Sequence, residues 1–210
     1  MEPAGLESRP PLRRTQAQRR AGTRAALLRA TVESLVELGY ARTTTQEVQR
    51  RAGVSRGALT HHFTSKAELM LAAVDRLYEE FSESVRQAAA DLPVDPATRV
   101  RLGIELIWQR FHGPLFVAAM ELWTAARTDP ELRAALLPHE RRLGAQLREL
   151  AFEVFGEQVA RQPAAEAMYQ VLLTSMRGQA MTYALQPDAP RDQYLQHWLT
   201  IIEALTPAGP

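Results

Sequence analysis

The chain has no cysteine, which excludes a disulfide framework and thiolate metal sites and fits a reducing compartment such as the cytoplasm. It also lacks a long apolar run. The strongest stretch near its middle, 115–120, stops at Glu121, far short of the roughly 20 residues that cross a bilayer. The arginine-bearing opening segment has no apolar core of the kind an export signal needs, so neither a membrane nor secretion is expected. Strand signals are missing too: β-branched residues are sparse and do not alternate. There is no Gly-rich phosphate loop, metal-ligand cluster or nucleophile motif. No catalysis, cofactor or metal is therefore expected, and the paired carboxylates Asp129 and Glu131 are accounted for by a helix cap.

What is present is ordinary for a soluble globular protein: 210 residues, 46% hydrophobic and 23% charged. The net charge of +1 hides an asymmetry. Residues 1–66 carry 12 basic against 5 acidic residues, while 67–210 carry 13 against 19. A basic first third is the electrostatic footprint of nucleic-acid binding, although a solvated basic tail would look the same.

Residues 1–15, with Pro3, Gly5, Pro10 and Pro11, read as a disordered arm whose Arg13 and Arg14, followed by Arg19 and Arg20, could enter a minor groove. Apolar positions at helical spacing predict a helix over 16–38 that Gly39 ends. Thr44 to Glu47 reads as a capping box, opening a short helix that Gly53 breaks. Ser55 caps a second short helix over 56–62, and Ser65 to Glu68 forms another box before a long helix to about 90. Asp95-Pro96 and Asp129-Pro130 mark later helix starts. Helices are expected at 96–111, 114–127, 130–155, 164–185 and 191–205, with Pro138 kinking or splitting the third of these. The fold class is all-α: a three-helix DNA-binding unit over 16–65 followed by a larger helical unit over 66–210.

Two short helices joined by a glycine turn, with Val48, Ala52, Val54 and Leu59 inward, describe a helix-turn-helix. Its second helix leaves Arg56, Gly57, Ala58, Thr60 and His61 pointing outward, and the small Gly57 and Ala58 permit close approach to a major groove. Phe63 reads as core. His61 and His62 are adjacent on a helix and diverge by about 100°, a poor arrangement for chelation.

Thr44-Thr45, then Ala52-Gly53-Val54-Ser55-Arg56-Gly57-Ala58-Leu59, then His62-Phe63, Ser65-Lys66 and Leu69 resemble the N-terminal signature of the TetR family of transcriptional regulators. The resemblance covers about residues 20–72. It implies that Thr45 and Lys66 touch phosphates at helix N-termini, with Gln46 beside them. It also implies that Arg56, Gly57, Ala58, Thr60, His61 and His62 form the reading surface for a double-stranded DNA operator. Thr60 stands where the family usually has tyrosine, which leaves that contact open.

Beyond residue 72 the resemblance rests on length and helical layout. It implies an effector cavity among the middle helices. Trp108, Phe111, His112, Phe116, Met120, Trp123, Tyr169 and Met176 are the candidate lining for a small apolar or aromatic effector, with His112 as the polar handle; the same stripe could be plain core. The last two helices present Leu173, Ala180, Tyr183, Tyr194, Trp198, Ile201, Ile202 and Leu205 at amphipathic spacing. In the family such helices build a four-helix dimer interface, and two-fold pairing would also place two reading helices in successive major grooves. The expectation is a cytoplasmic homodimeric repressor released by its effector. The alternatives are a DNA-binding protein without an effector and one controlled by a protein partner.

Overall fold

The computed structural model describes residues 15–186 and 194–205, without the side chains of 202–205. The described residues form helices and short connections, with no strand among them. The elements are α1 (Gln16–Arg42), α2 (Thr45–Ala52), α3 (Arg56–His62), α4 (Lys66–Ala89), α5 (Pro96–Arg110), α6 (Pro114–Ala126), α7 (Pro130–Phe155), α8 (Glu157–Ala160), α9 (Ala165–Leu185) and α10 (Leu195–Leu205). None is long and apolar enough to cross a membrane.

The caps explain most of these boundaries. Thr44, Ser55, Ser65, Asp95 and Asp129 each accept the amide three residues on, which satisfies one of the four orphan donors at a helix start. The reciprocal halves of both expected capping boxes differ from expectation. Glu68 reaches past Ser65 to the amide and hydroxyl of Thr64, both at 2.7 Å. Glu47 turns toward arginines instead of the Thr44 amide. A complete box does occur where none was expected, between Thr15 and Gln18. It starts α1 at Gln16, where the helical spacing predicts, and α1 carries Arg19 and Arg20; Arg13 and Arg14 fall outside the described residues.

Gly39 leaves the helical path at φ +76, where the helix expected over 16–38 ends, and one further helical turn beyond this kink carries α1 to Arg42. Pro138 does not split α7. The short α8 follows Gly156, whose φ of +92 reverses the chain; four residues are too few to show periodicity.

Three apolar clusters stack along the molecule. The first joins Leu27, Leu28, Val48, Leu59 and Phe63 from α1 to α3 and its following turn. The second joins Leu35 of α1 to Leu122 of α6 and Leu132 and Leu136 of α7. The third gathers α5, α7, α9 and α10 around Ile104, Trp108, Val154 and Met168. Helix α4 enters all three, through Leu69 and Ala73, then Met70, Val74 and Leu77, then Val85 and Ala89. Its 24 residues make a rod of about 36 Å, rooted at one end among the helix-turn-helix residues.

Candidate DNA-reading surface and effector cavity

Helix α3 is held by one face only. Leu59 and Phe63 are buried in the first cluster, and Gly53 takes a left-handed φ of +65 that turns α2 into α3. Arg56, Gly57, Thr60 and His61 are left exposed, with Ala58 and His62 half-buried. The Thr60 hydroxyl donates to the carbonyls of Arg56 and Gly57 at 3.2 Å, so it is engaged within its own helix. His62 is kept below the usual histidine range, first by burial and then by the neighbouring His61, Arg20 and Arg24. The positive charge of Arg20 and Arg24 beside it suits a polyanion. Arg24 lies 5.6 Å over the Phe63 ring. The helix expected over 16–38 already contains Arg20, but its position beside His62 comes from the packing of α1 on α3, which helical spacing cannot show.

On α2, Thr45 is half-buried and Gln46 exposed, and Gln46 borders an open groove with Arg42 and Arg50. Lys66 departs from expectation. Its ammonium donates to the Tyr40 carbonyl at 2.9 Å and lies 3.8 Å over the Tyr40 ring, and burial lowers its pKa. From this position it ties the start of α4 to the end of α1, with one of its three donors used on the Tyr40 carbonyl.

Glu47 is the hub that fixes α2. It accepts from Arg50 at 2.7 Å and Arg51 at 2.6 Å, and Arg51 reaches on to Glu37 of α1 at 2.7 Å. Hydrogen bonds from Arg50 and Arg51 hold the carboxyl down to about 2. A depressed folded pKa adds stability above the ordinary carboxyl value of about 4.5, and this is lost as pH falls toward 2. Thermal melts of wild type should therefore lose stability between pH 5 and 2. Glu47→Gln should start lower at pH 7 and fall less steeply. Parallel curves for the two proteins would contradict the assignment.

Among the later helices lies a partly open cavity of two lobes, each of about 50 Å³. Phe81 of α4, Phe111 at the end of α5, Leu147 of α7 and Leu173 of α9 line both lobes and form the wall between them. The inner lobe continues over Ile107, Phe155, Tyr169 and Met176 and is almost wholly apolar. The outer lobe adds Phe116, Trp123, Arg110, Glu140 and Arg177. Burial raises the Glu140 carboxyl, against the opposing pull of Trp123 and Arg177, and Arg177 lies 4.9 Å over the Trp123 ring.

Of the candidate lining residues, Phe111, Phe116, Trp123, Tyr169 and Met176 border this cavity. Trp108, His112 and Met120 do not. Trp108 is 2% exposed within the third cluster, against Phe111, Tyr183 and Trp198. His112 packs edge-on to Trp108 at 4.3 Å, and Met120 packs against that cluster. Phe81, Leu147 and Ala151 escape the sequence reading because their helices show only the ordinary amphipathic pattern of core.

The dimer-face expectation needs the same correction. Ala180, Tyr183 and Trp198 are buried inside the subunit, and the Trp198 indole donates to Ser175 at 2.6 Å. Leu173 lines the cavity, and Tyr194 is half-buried beside His197. Ile201 is exposed; the side chains of Ile202 and Leu205 lie outside the described residues. The outward face of α9 instead carries Val171, Thr174, Gly178, Met181 and Leu185, at the alternating three and four spacing of a helix-pairing seam.

A helix-turn-helix with an exposed second helix, joined by one long helix to a larger helical unit, is the arrangement of a DNA-binding transcriptional regulator. The family model for bacterial regulatory proteins of the tetR family matches residues 27–73. The HTH-type transcriptional regulator CymR of Pseudomonas putida is 34% identical over 182 residues, covering 86% of this chain and 89% of CymR. The chain belongs to the TetR family. An uncharacterized HTH-type transcriptional regulator of Mycobacterium tuberculosis is 37% identical over 127 residues, 59% of this chain and 63% of the relative's length, so that match stops short of two thirds of the mycobacterial protein. The fold is shared with FadR of Bacillus subtilis, solved in complex with stearoyl-CoA, at a TM-score of 0.66 and 14% identity over 85% of this chain and 96% of that one.

Proposed function

We propose that the protein is a homodimeric repressor that leaves a pseudo-palindromic operator when a small apolar or aromatic molecule fills the two-lobed cavity. The observation that carries this reading is the placement of Phe81. It walls both lobes and belongs to α4, whose first turns lie in the core of the helix-turn-helix. Each lobe alone is smaller than the roughly 150 Å³ that accommodates benzene in an engineered apolar cavity, so a ring-sized ligand must displace the shared wall. Moving Phe81 moves a rod that ends at the reading heads. DNA and effector then weaken each other's binding by the same factor.

The homodimer is proposed to form on the outward seam of α9. Val171 is 51%, Met181 53% and Leu185 86% exposed in the single subunit. Gly178 has open space for 4 Å around the point where a Cβ would project, which leaves room for a partner helix to approach closely.

The test is a gel-shift titration on the DNA upstream of the protein's own gene, with a scrambled duplex as competitor, repeated for Ala151→Leu. Ala151 borders the inner lobe and is buried, so leucine fills the space at an overpacking penalty of about 1–3 kcal/mol. Wild type should shift only the native duplex, as two chains per site, and release it on adding an effector. Ala151→Leu should shift the same duplex and resist release. Equal binding to both duplexes would instead indicate an architectural DNA binder. Specific binding that no small molecule reverses would indicate control by a protein partner.

A further inference from the structure

Tyr169 lines the inner lobe and is only 5% exposed. Its hydroxyl is buried and finds no hydrogen-bond partner among the described residues. Its ring is fixed by Phe152 at 5.9 Å. Buried hydroxyls are nearly always paired in folded proteins, and an orphan is disfavoured unless a ligand completes it. A tyrosine hydroxyl donates one hydrogen bond and accepts others. No charged side chain lines this lobe, so an ion placed in it would lose its hydration without a direct counter-ion.

Resting on the effector reading above, we propose that Tyr169 is the specificity-determining contact of the cavity, and that it selects a neutral, ring-bearing molecule with one hydrogen-bond acceptor such as an aryl ketone. The apolar body lies along the Phe81–Phe111 wall and the acceptor oxygen takes the Tyr169 proton in a hydrogen bond. His112, the handle expected from the sequence, packs outside the cavity against Trp108. Glu140, Arg110 and Arg177 line the other lobe; burial raises the pKa of the Tyr169 phenol, and of these three Arg177 pulls against it.

The experiment is calorimetric titration of the full-length protein with four compounds of similar size: propiophenone, its shape-matched hydrocarbon sec-butylbenzene, 3-phenylpropanoate and 3-phenylpropylamine. Wild type should bind the ketone about ten-fold more tightly than the hydrocarbon, the worth of one buried hydrogen bond, and more tightly than either ion. Tyr169→Phe, which keeps the ring packing, should bind the hydrocarbon as wild type does and lose the ketone's advantage. If ketone and hydrocarbon bind wild type equally, or Tyr169→Phe still distinguishes them, the Tyr169 assignment is overturned while the cavity reading stands. Preferred binding of the carboxylate or the amine overturns the neutral class and moves recognition to the outer-lobe charges. If no compound binds wild type and Ala151→Leu is equally silent, the effector-cavity reading falls and the Tyr169 role with it.

Discussion

Gly57→Glu is expected to lower operator affinity at least about a hundred-fold, equivalent to roughly 2.8 kcal/mol, while leaving thermal stability unchanged or slightly raised. The two halves of this result have separate physical causes. Gly57 stands in the first turn of α3, exposed, with open space where a Cβ would project and no left-handed φ to strain a side chain. Replacing glycine there removes its backbone-entropy penalty of about 1 kcal/mol, and a carboxylate near a helix N-terminus gains a few tenths more from the dipole. The fold has no reason to suffer. On DNA the same carboxylate would stand between the α3 backbone and the major groove, facing phosphates and the acceptor-rich edges of purines. Gly57→Ala, smaller and uncharged, should lose far less. Fluorescence anisotropy with the operator, read beside a melting curve, separates binding from folding. Wild-type affinity for Gly57→Glu would show that α3 is not the helix that reads DNA.

That prediction rests on the part of the molecule most legible in the sequence. Caps, the Gly53 turn and the inward Val48, Leu59 and Phe63 are local features, decided by local backbone chemistry. The later helices are legible as helices, because Asp-Pro starts and 3.6-residue spacing are local too. Their faces are not. Helix α9 is apolar on two sides: Leu172, Met176, Ala180 and Tyr183 turn inward, while Val171, Gly178, Met181 and Leu185 turn outward. Periodicity identifies a stripe but cannot say which of two stripes meets the subunit's own core. For the same reason the cavity is only partly visible in the sequence. Aromatic and methionine content points to Trp108 and Met120, whereas the void lies where α4, α5, α7 and α9 fail to close around Phe81, which only tertiary packing reveals. The place of Lys66 at a helix N-terminus suggests a phosphate, and its engagement with Tyr40, 26 residues away, leaves no trace in a local window.

The same long-range junction yields a second large effect. Gly39→Ala is expected to destabilise the protein by about 2–3 kcal/mol, and by only about 1–1.5 kcal/mol when Glu121 is already alanine. At φ +76 and ψ 173 the backbone lies in a region essentially reserved for glycine, and an L side chain pays for it wherever it sits. The added Cβ would also stand 2.7 Å from Glu121 Oε2, the oxygen that accepts the Tyr40 amide at 2.8 Å. The carboxylate cannot retreat without releasing that amide, and a hydrogen bond to a charged acceptor contributes about 1.5–3 kcal/mol. Glu121→Ala removes the clash and the bond together, so only the backbone term remains in the double variant. Denaturant unfolding of the four proteins therefore yields a favourable interaction energy of about 1 kcal/mol between the two substitutions. Equal penalties for Gly39→Ala in both backgrounds would show that Glu121 does not close over the glycine. The junction also bears on release. Glu121 is on α6, which supplies Phe116 and Trp123 to the outer lobe, while Tyr40 carries Lys66 at the head of α4. If the effector releases DNA as proposed, Glu121→Ala removes one contact chain between cavity and reading head, and the factor by which effector weakens operator binding in anisotropy titrations should shrink even where both sites still bind.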